Sequence, residues 1–187
     1  MPGLGRTHWL ALGGVTLAMI GALALLGRTP ICTCGYVKLW HGEVMSSENS
    51  QHLLDWYAPS HVLHGLAFYF ALRYLAPNLS VGWRLVIAAI IEAGWEVVEN
   101  TSWIIDRYRG ETAALDYFGD SIINSTADMA MMVLGFVIAW RAPVWFSITL
   151  FIAAELIVGY IIRDGLMLNI IMLLWPLEFI KQWQLGA

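Results

Sequence analysis

Hydrophobic positions dominate the chain in six runs, roughly 9–27, 60–76, 83–103, 120–140, 143–162 and 166–182. A membrane-crossing helix needs about 20 residues, so these runs predict an all-α, polytopic transmembrane helical bundle. Six spans is the first reading and five the second. The second run is short, and the sixth is interrupted by Asn169, Pro176 and Glu178. The polar stretches between them are unequal. Residues 28–59 and 104–119 make two long loops, whereas 76–82 and 141–143 are short turns. No internal repeat or low-complexity tract divides the chain, which reads as one integral membrane domain over 1–187.

The first run follows Arg6 and contains Ala22-Leu23-Ala24, a sequence like a signal-peptidase site. Its length favours a retained signal anchor over a cleaved signal. Lys and Arg divide evenly between the two sides, so the positive-inside rule gives a tie. Long loops can translocate whatever their charge, and this favours a cytoplasmic N-terminus.

The third run breaks the apolar pattern. It reads Glu92-Ala-Gly-Trp-Glu96-Val-Val-Glu99-Asn100, with no Lys or Arg between Arg84 and Arg107. Carboxylates in a span are costly and mark function by default. At 100° per residue, Glu92, Glu96 and Glu99 fall within about 60° of arc, with Asn100 at its edge and Trp103 and Asp106 continuing the face. Asp120, Asn124 and Asp128 step by four along one face of the fourth run, and His61, His64, Gly65 and Phe68 share a face of the second. The start of run two, the end of run three and the start of run four lie on one membrane side. A shared polar site therefore follows, with Glu92 and Asp128 deepest.

Each residue also has a plain structural reading. His61 and His64 could cap a helix start, and Asp120 could be a first-turn acid. Asn124 could bridge helices, Gly13, Gly14 and Gly21 could permit close packing, and Glu155 stands alone. The combination asks for more. Glu96, Glu99, Asp120 and His64 are the candidate acid–base residues. Asn100, Asn124, Arg107, Arg109 and His52 are candidates for holding a substrate, the arginines through a phosphate. Glu96, Glu99, His61, Asp120 and Asp128 are candidate ligands for a divalent metal ion with mainly oxygen donors. Protons could neutralise the same carboxylates without a metal.

Residues 46–61, Ser-Ser-Glu-Asn-Ser-Gln-His-Leu-Leu-Asp-Trp-Tyr-Ala-Pro-Ser-His, run straight into the His-bearing helix. Trp56 and Tyr57 supply apolar surface for a lid over the site. Glu48 and His52, four apart, would share a face on a helical turn. Cys32 and Cys34 could pair as a C-x-C disulfide, remain thiols, or bind a soft metal.

Composition bounds the rest. The 187 residues are 59% hydrophobic and 13% charged, with mean hydropathy +0.65, which suits a membrane protein. Ten Trp residues is high, and many of them, Trp9, Trp83, Trp103, Trp140, Trp145, Trp175 and Trp183, sit where interfacial belts belong. A net charge of −4 offers no basic surface for nucleic acid. Membrane lipids are the expected partners, and oligomeric state is not specified.

Cys32-Thr-Cys-Gly35, Ser46–His52 and Asp55-Trp-Tyr-Ala-Pro-Ser-His-Val-Leu-His-Gly65 resemble a family of small bacterial inner-membrane proteins described only as a domain of unknown function. The resemblance covers most of the chain and implies a multi-pass plasma-membrane location without an established activity. A looser likeness is to VanZ-like membrane proteins. It rests on His61 or His64, Glu96 or Glu99, Arg107 or Arg109, Asp120-Ser-Ile-Ile-Asn124 and Gly135. Asp128 and the long first loop depart from that pattern. The likeness implies a cell-envelope role tied to lipid or wall chemistry. Other motifs stay incomplete. Pro59-Ser60-His61 lacks the basic partner of a lipid phosphatase, and Asp120-x-x-x-Asn124-x-x-x-Asp128 lacks the Asp-x-x-Asp-Gly that opens an alcohol-phosphotransferase signature. Five His are too few for a His-rich di-iron hydroxylase. The expectations are an enzyme acting on a lipid or polyprenyl-linked head group, a non-catalytic envelope or resistance factor, or a proton- or cation-coupled transporter.

Overall fold

The computed structural model describes residues 4–186. The order is α1 (Arg6–Leu25), α2 (Ala58–Leu75), α3 (Val81–Glu99), α4 (Ser102–Glu111), α5 (Ile122–Arg141), α6 (Val144–Ile162), α7 (Leu166–Leu174) and α8 (Glu178–Leu185). No strand is formed among the described residues. A single bridge joins Trp40 to Leu54 within the first loop.

Three helices, α1, α5 and α6, are long and apolar enough to cross a membrane. The His, Ser and Arg residues of α2 and the charged Arg84, Glu92 and Glu96 of α3 set those two helices apart from the three. The six-span expectation needs correction at its last member. Run 166–182 is not one helix: α7 ends at Leu174 before Trp175-Pro176, and α8 begins at Glu178. Proline has no N–H to continue the ladder and disfavours helical geometry in the residue before it. Nine residues at 1.5 Å each give α7 about 14 Å, half of a hydrocarbon core.

The second break is at the end of α3. The polar run Glu99-Asn100-Thr101-Ser102 offers the backbone alternative partners. Asn100 Nδ2 donates to the Glu96 carbonyl at 3.0 Å, and the Thr101 hydroxyl donates to Val98 O at 2.6 Å. The chain turns and restarts as α4, so Trp103 and Asp106 leave the Glu face, and Trp103 is exposed.

Packing centres on α2 against α5, with α1 and α3 alongside. The α2–α5 crossing is set by two glycines. A Cβ on Gly65 would meet the Met132 carbonyl, and one on Gly135 would meet that of Val62. Both clashes are with backbone, so only glycine allows this approach. Leu63, Leu66, Leu85, Met132 and Phe136 close the core beneath the crossing. By contrast, α6 buries only Ser147 and Val158 and leaves Trp145, Ile148, Ile152 and Leu156 bare. Its lone acid has a partner: the Glu155 carboxylate accepts from Leu166 N (2.9 Å) and Met167 N (3.0 Å). It thus caps the free amides and positive dipole end of α7.

The first long loop clamps the start of α5. Ile122 N and Ile123 N donate to Thr29 O and Pro30 O, and Ser121 N donates to Ser50 O. Gln51 Nε2 donates to Gly119 O at 2.6 Å, and Asn124 Nδ2 to His52 O at 2.9 Å. Cys32 and Cys34 are joined as a disulfide, so the soft-metal reading of this pair does not apply.

Candidate functional site

His61 and His64 lie one turn apart on α2, Glu92 and Glu96 one turn apart on α3, and Asn124 and Asp128 one turn apart on α5. The three faces converge. His61 Nδ1 is 2.6 Å from Glu92 Oε1 and 3.5 Å from Glu96 Oε1, while its Nε2 is 3.8 Å from Asp128 Oδ2. His64 Nδ1 lies 3.0 Å from Glu92 Oε2. Carboxylates therefore face both ring nitrogens of His61, the surroundings that best suit an imidazolium or a metal-bound ring. Glu92 and Glu96 are wholly buried.

The cluster is under-satisfied. Both oxygens of Glu96 and Oδ1 of Asp128 are buried without a hydrogen-bond partner. Such acceptors are rare and carry a desolvation cost of about 1–3 kcal/mol each, more if charged. Two overlapping sets, His61–His64–Glu92 and His61–Glu96–Asp128, place one ligand atom per residue within 4.8 Å of the others. Two imidazoles with three carboxylates are a donor set for a borderline divalent ion such as zinc or manganese.

Above this cluster opens a cavity of about 470 Å³. One wall is polar, with His61, His64, Glu92, Glu99, Asp120 and Asp128. The other is apolar, with Phe68, Ile91, Phe151, Met167 and Ile170. Ile91, Met167 and Ile170 are also exposed on the outer surface, so the apolar wall opens to the outside of the bundle. Asn49, Ser50 and Tyr57 of the first loop and α2 entry line the mouth, where a covering loop was expected.

A second network sits at the mouth. Asn100 Nδ2 donates to Asp120 Oδ2 at 2.7 Å, and Asp120 N donates to Asn100 Oδ1 at 2.7 Å. Tyr117 Oη donates to Asp120 Oδ1 at 3.1 Å. Tyr108 Oη donates to Asn169 Oδ1 at 2.7 Å, and Tyr57 Oη donates to Asp164 Oδ2 at 3.2 Å. Burial raises the Asp164 carboxyl to about 6, although bonds from Gly165 N and Tyr57 oppose the shift.

Seven predicted residues, His61, His64, Glu96, Glu99, Asp120, Asn124 and Asp128, surround the cavity or its floor. Glu96 stands with His61 and Asp128, whereas Glu99 and Asp120 belong to the mouth. Asn100 is spent on Asp120. Three residues lie elsewhere. Arg107 Nε donates to Leu173 O, and Arg109 Nε to Leu115 O while the guanidinium covers the Phe118 ring. The His52 ring is buried within the first loop, where Nε2 is 3.0 Å from Glu48; only its carbonyl reaches Asn124. Glu92 is the residue the sequence reading undervalued. It shares the Glu96 face, but its role between two imidazoles depends on how α2 meets α3. Tyr108 and Tyr117 carried no sequence signal because their loop gave no period.

An all-helical protein with three bilayer-length apolar helices and a buried histidine–carboxylate centre is the class that fold and site define. The chain belongs to the bacterial family described as "Protein of unknown function (DUF2585)", whose model matches residues 23–186. A UPF0314 protein of Paracoccus denitrificans is 57% identical over 177 residues, covering 95% of this chain and 91% of the relative. One from Rhizobium etli is 54% identical, covering 92% of this chain and 88% of the relative. One from Sphingopyxis alaskensis is 46% identical over 99% of this chain and 98% of the relative. No solved structure matches.

Proposed function

We propose that this is a multi-pass inner-membrane enzyme that draws the head group of a lipid or polyprenyl-linked molecule into the cavity and transforms it at the histidine–carboxylate centre. The observation that carries this reading is the set of unpartnered oxygens of Glu96 and Asp128 beneath a cavity with one polar wall and one apolar wall that opens outward. Such oxygens are free to accept a proton or a cation, and such a cavity fits an amphiphile. His61, Glu96 and Asp128, with His64 and Glu92 alongside, would hold a divalent ion, which supplies Lewis-acid activation of a bound oxygen. His64, partly exposed at the cavity wall, is placed to exchange a proton with a bound head group. Envelope lipid chemistry is the setting this implies.

The test is metal analysis of detergent-purified protein. The expected result is about one divalent ion per chain, lost in Glu96→Ala, with chelator lowering thermal stability through linkage. Metal-free protein with a protonated-carboxyl infrared band near neutral pH, absent in Glu96→Gln, overturns the metal-dependent reading. One observation favours a non-catalytic role for the mouth: Asp120, Asn100 and Tyr117 bond one another, as groups fixing helix packing would. The packed floor of Leu66, Met132 and Phe136 counts against a path for ions through the molecule.

A further inference from the structure

Charge balance around the cavity restricts what can enter it. Glu92, Glu96, Glu99, Asp120 and Asp128 bring five carboxyl groups to the cavity and its floor. Only His61 and His64 oppose them. No Lys or Arg among the described residues lines the space. The nearby guanidiniums each give a bond to a backbone carbonyl: Arg28 to Phe118 O at 2.6 Å, Arg107 to Leu173 O at 2.6 Å and Arg109 to Leu115 O at 3.3 Å. Arg28, whose Nε is buried without a partner, lies behind Gly119 rather than on the cavity wall. An anionic head group would thus meet acidic side chains with no Lys or Arg among the lining residues to oppose them. A divalent ion in the inner centre does not reverse this. Glu92, Glu96 and Asp128, when ionised, already exceed its charge, and Glu99 and Asp120 remain outside it.

The walls of the mouth match a cation. Tyr108 and Tyr117 stand edge to face, 5.4 Å between centroids, and Tyr57 and Trp95 complete an aromatic lining. Aromatic faces with adjacent carboxylates are a recurrent setting for ammonium groups. Asp128 Oδ1, unpartnered on a residue only 5% exposed, lies on the same cavity.

We infer that the cavity selects amphiphiles whose head group carries an ammonium, seated between Glu99 and Asp120 against Tyr108 and Tyr117, with the acyl chain along Phe68, Met167 and Ile170. This rests on the lipid-head-group reading above and narrows it to cationic or amine-bearing zwitterionic heads.

The experiment is calorimetric binding of chain-matched probes, dodecylammonium, dodecyl phosphate and dodecanol, to the full chain in neutral detergent. Dodecylammonium should bind about tenfold or more tightly than dodecyl phosphate. The paired variant Glu99→Gln/Asp120→Asn should abolish the preference. The surface pair Asp106→Asn/Glu111→Gln should retain it, which separates the cavity from overall charge. If Glu99→Gln/Asp120→Asn does not fold, the single Glu99→Gln should weaken dodecylammonium alone. Tighter dodecyl phosphate binding, or equal loss in the surface pair, overturns the ammonium assignment and leaves the lipid-head-group reading standing. Three probes binding alike, unaffected by filling the slot with Ala67→Trp, overturns both.

Discussion

Two clusters in this protein use the same side chains to opposite ends. In the first loop, Glu48 Oε2 lies 3.0 Å from His52 and 4.0 Å from His41. Between α2, α3 and α5, Glu92 lies 2.6 Å from His61 and 3.0 Å from His64. The loop cluster contains its own cation: Lys38 Nζ sits 2.8 Å from Glu48 and 3.3 Å from His41 Nδ1. Tyr36 donates to the same carboxylate. Glu48 is thereby held at about 2, chiefly by the Lys38 hydrogen bond. His52 Nδ1 accepts from Lys38 N, which leaves the proton on Nε2 and no lone pair there for a metal. The helix cluster has no lysine and keeps carboxylate oxygens unpartnered. Histidine and glutamate at short distance do not by themselves define a site; a missing countercharge does.

The contrast breaks most sharply at Glu92. Glu92→Ala strips His61 and His64 of their shared partner and should cost about 3–5 kcal/mol, as removal of one member of a buried pair does. Thermal unfolding in detergent reads it, and a melting temperature within a degree of wild type would place both clusters in the same class. Asn100→Ala comes next. It leaves buried Asp120 without its amide and should cost about 1–3 kcal/mol, with no change in metal content; a loss of metal would make the mouth and the inner centre one unit.

pH sharpens the comparison with opposite signs. Asp164 is raised from 3.8 to about 6 by burial. The folded state therefore binds more protons between those values, and stability falls as pH rises from about 4 to 6. Asp164→Asn should flatten that slope in a pH series of melting temperatures. Glu48, lowered from 4.5 to about 2, acts the other way. Its contribution is present above 4.5 and is lost as pH falls towards 2. Glu48→Gln should produce the smallest shift of the set, a slight fall in melting temperature above about pH 4.5 that vanishes as pH falls towards 2, because the pair is open to water and salt. A large shift at neutral pH would show the loop cluster to be more than a surface clasp.

The convergence of His61, Glu96 and Asp128 was legible because helical period alone puts each on a polar face, and loop lengths put those faces at one end. Trp56 and Tyr57 leading into His61 suggested a loop near the site; Tyr57 does line the mouth with Asn49 and Ser50, whereas Trp56 packs on Trp40 and donates to Gly42 O inside the loop. Less could be read where partners come from distant segments. The position of the Arg107 and Arg109 side chains depended on finding the carbonyls of Leu173 and Leu115, and a charged residue beside a site looks the same in sequence whether it faces in or out. The break in the sixth run was signalled by Pro176 and Glu178, although its apolar character kept six spans as the first reading.

The clamp between the first loop and the start of α5 has a consequence for the order of manufacture. His52 and Asn124, joined at 2.9 Å, are 72 positions apart. A ribosome delivers the loop first, then α3 with its acids, and the partner last. Until α5 arrives, Glu92 and Glu96 have neither Asp128 beside them nor the Gly65–Gly135 crossing to seal them from their surroundings. The centre is therefore completed only after the fifth helix has been made, and a chain truncated before Ile122 should be degraded rather than accumulate with a half-built centre.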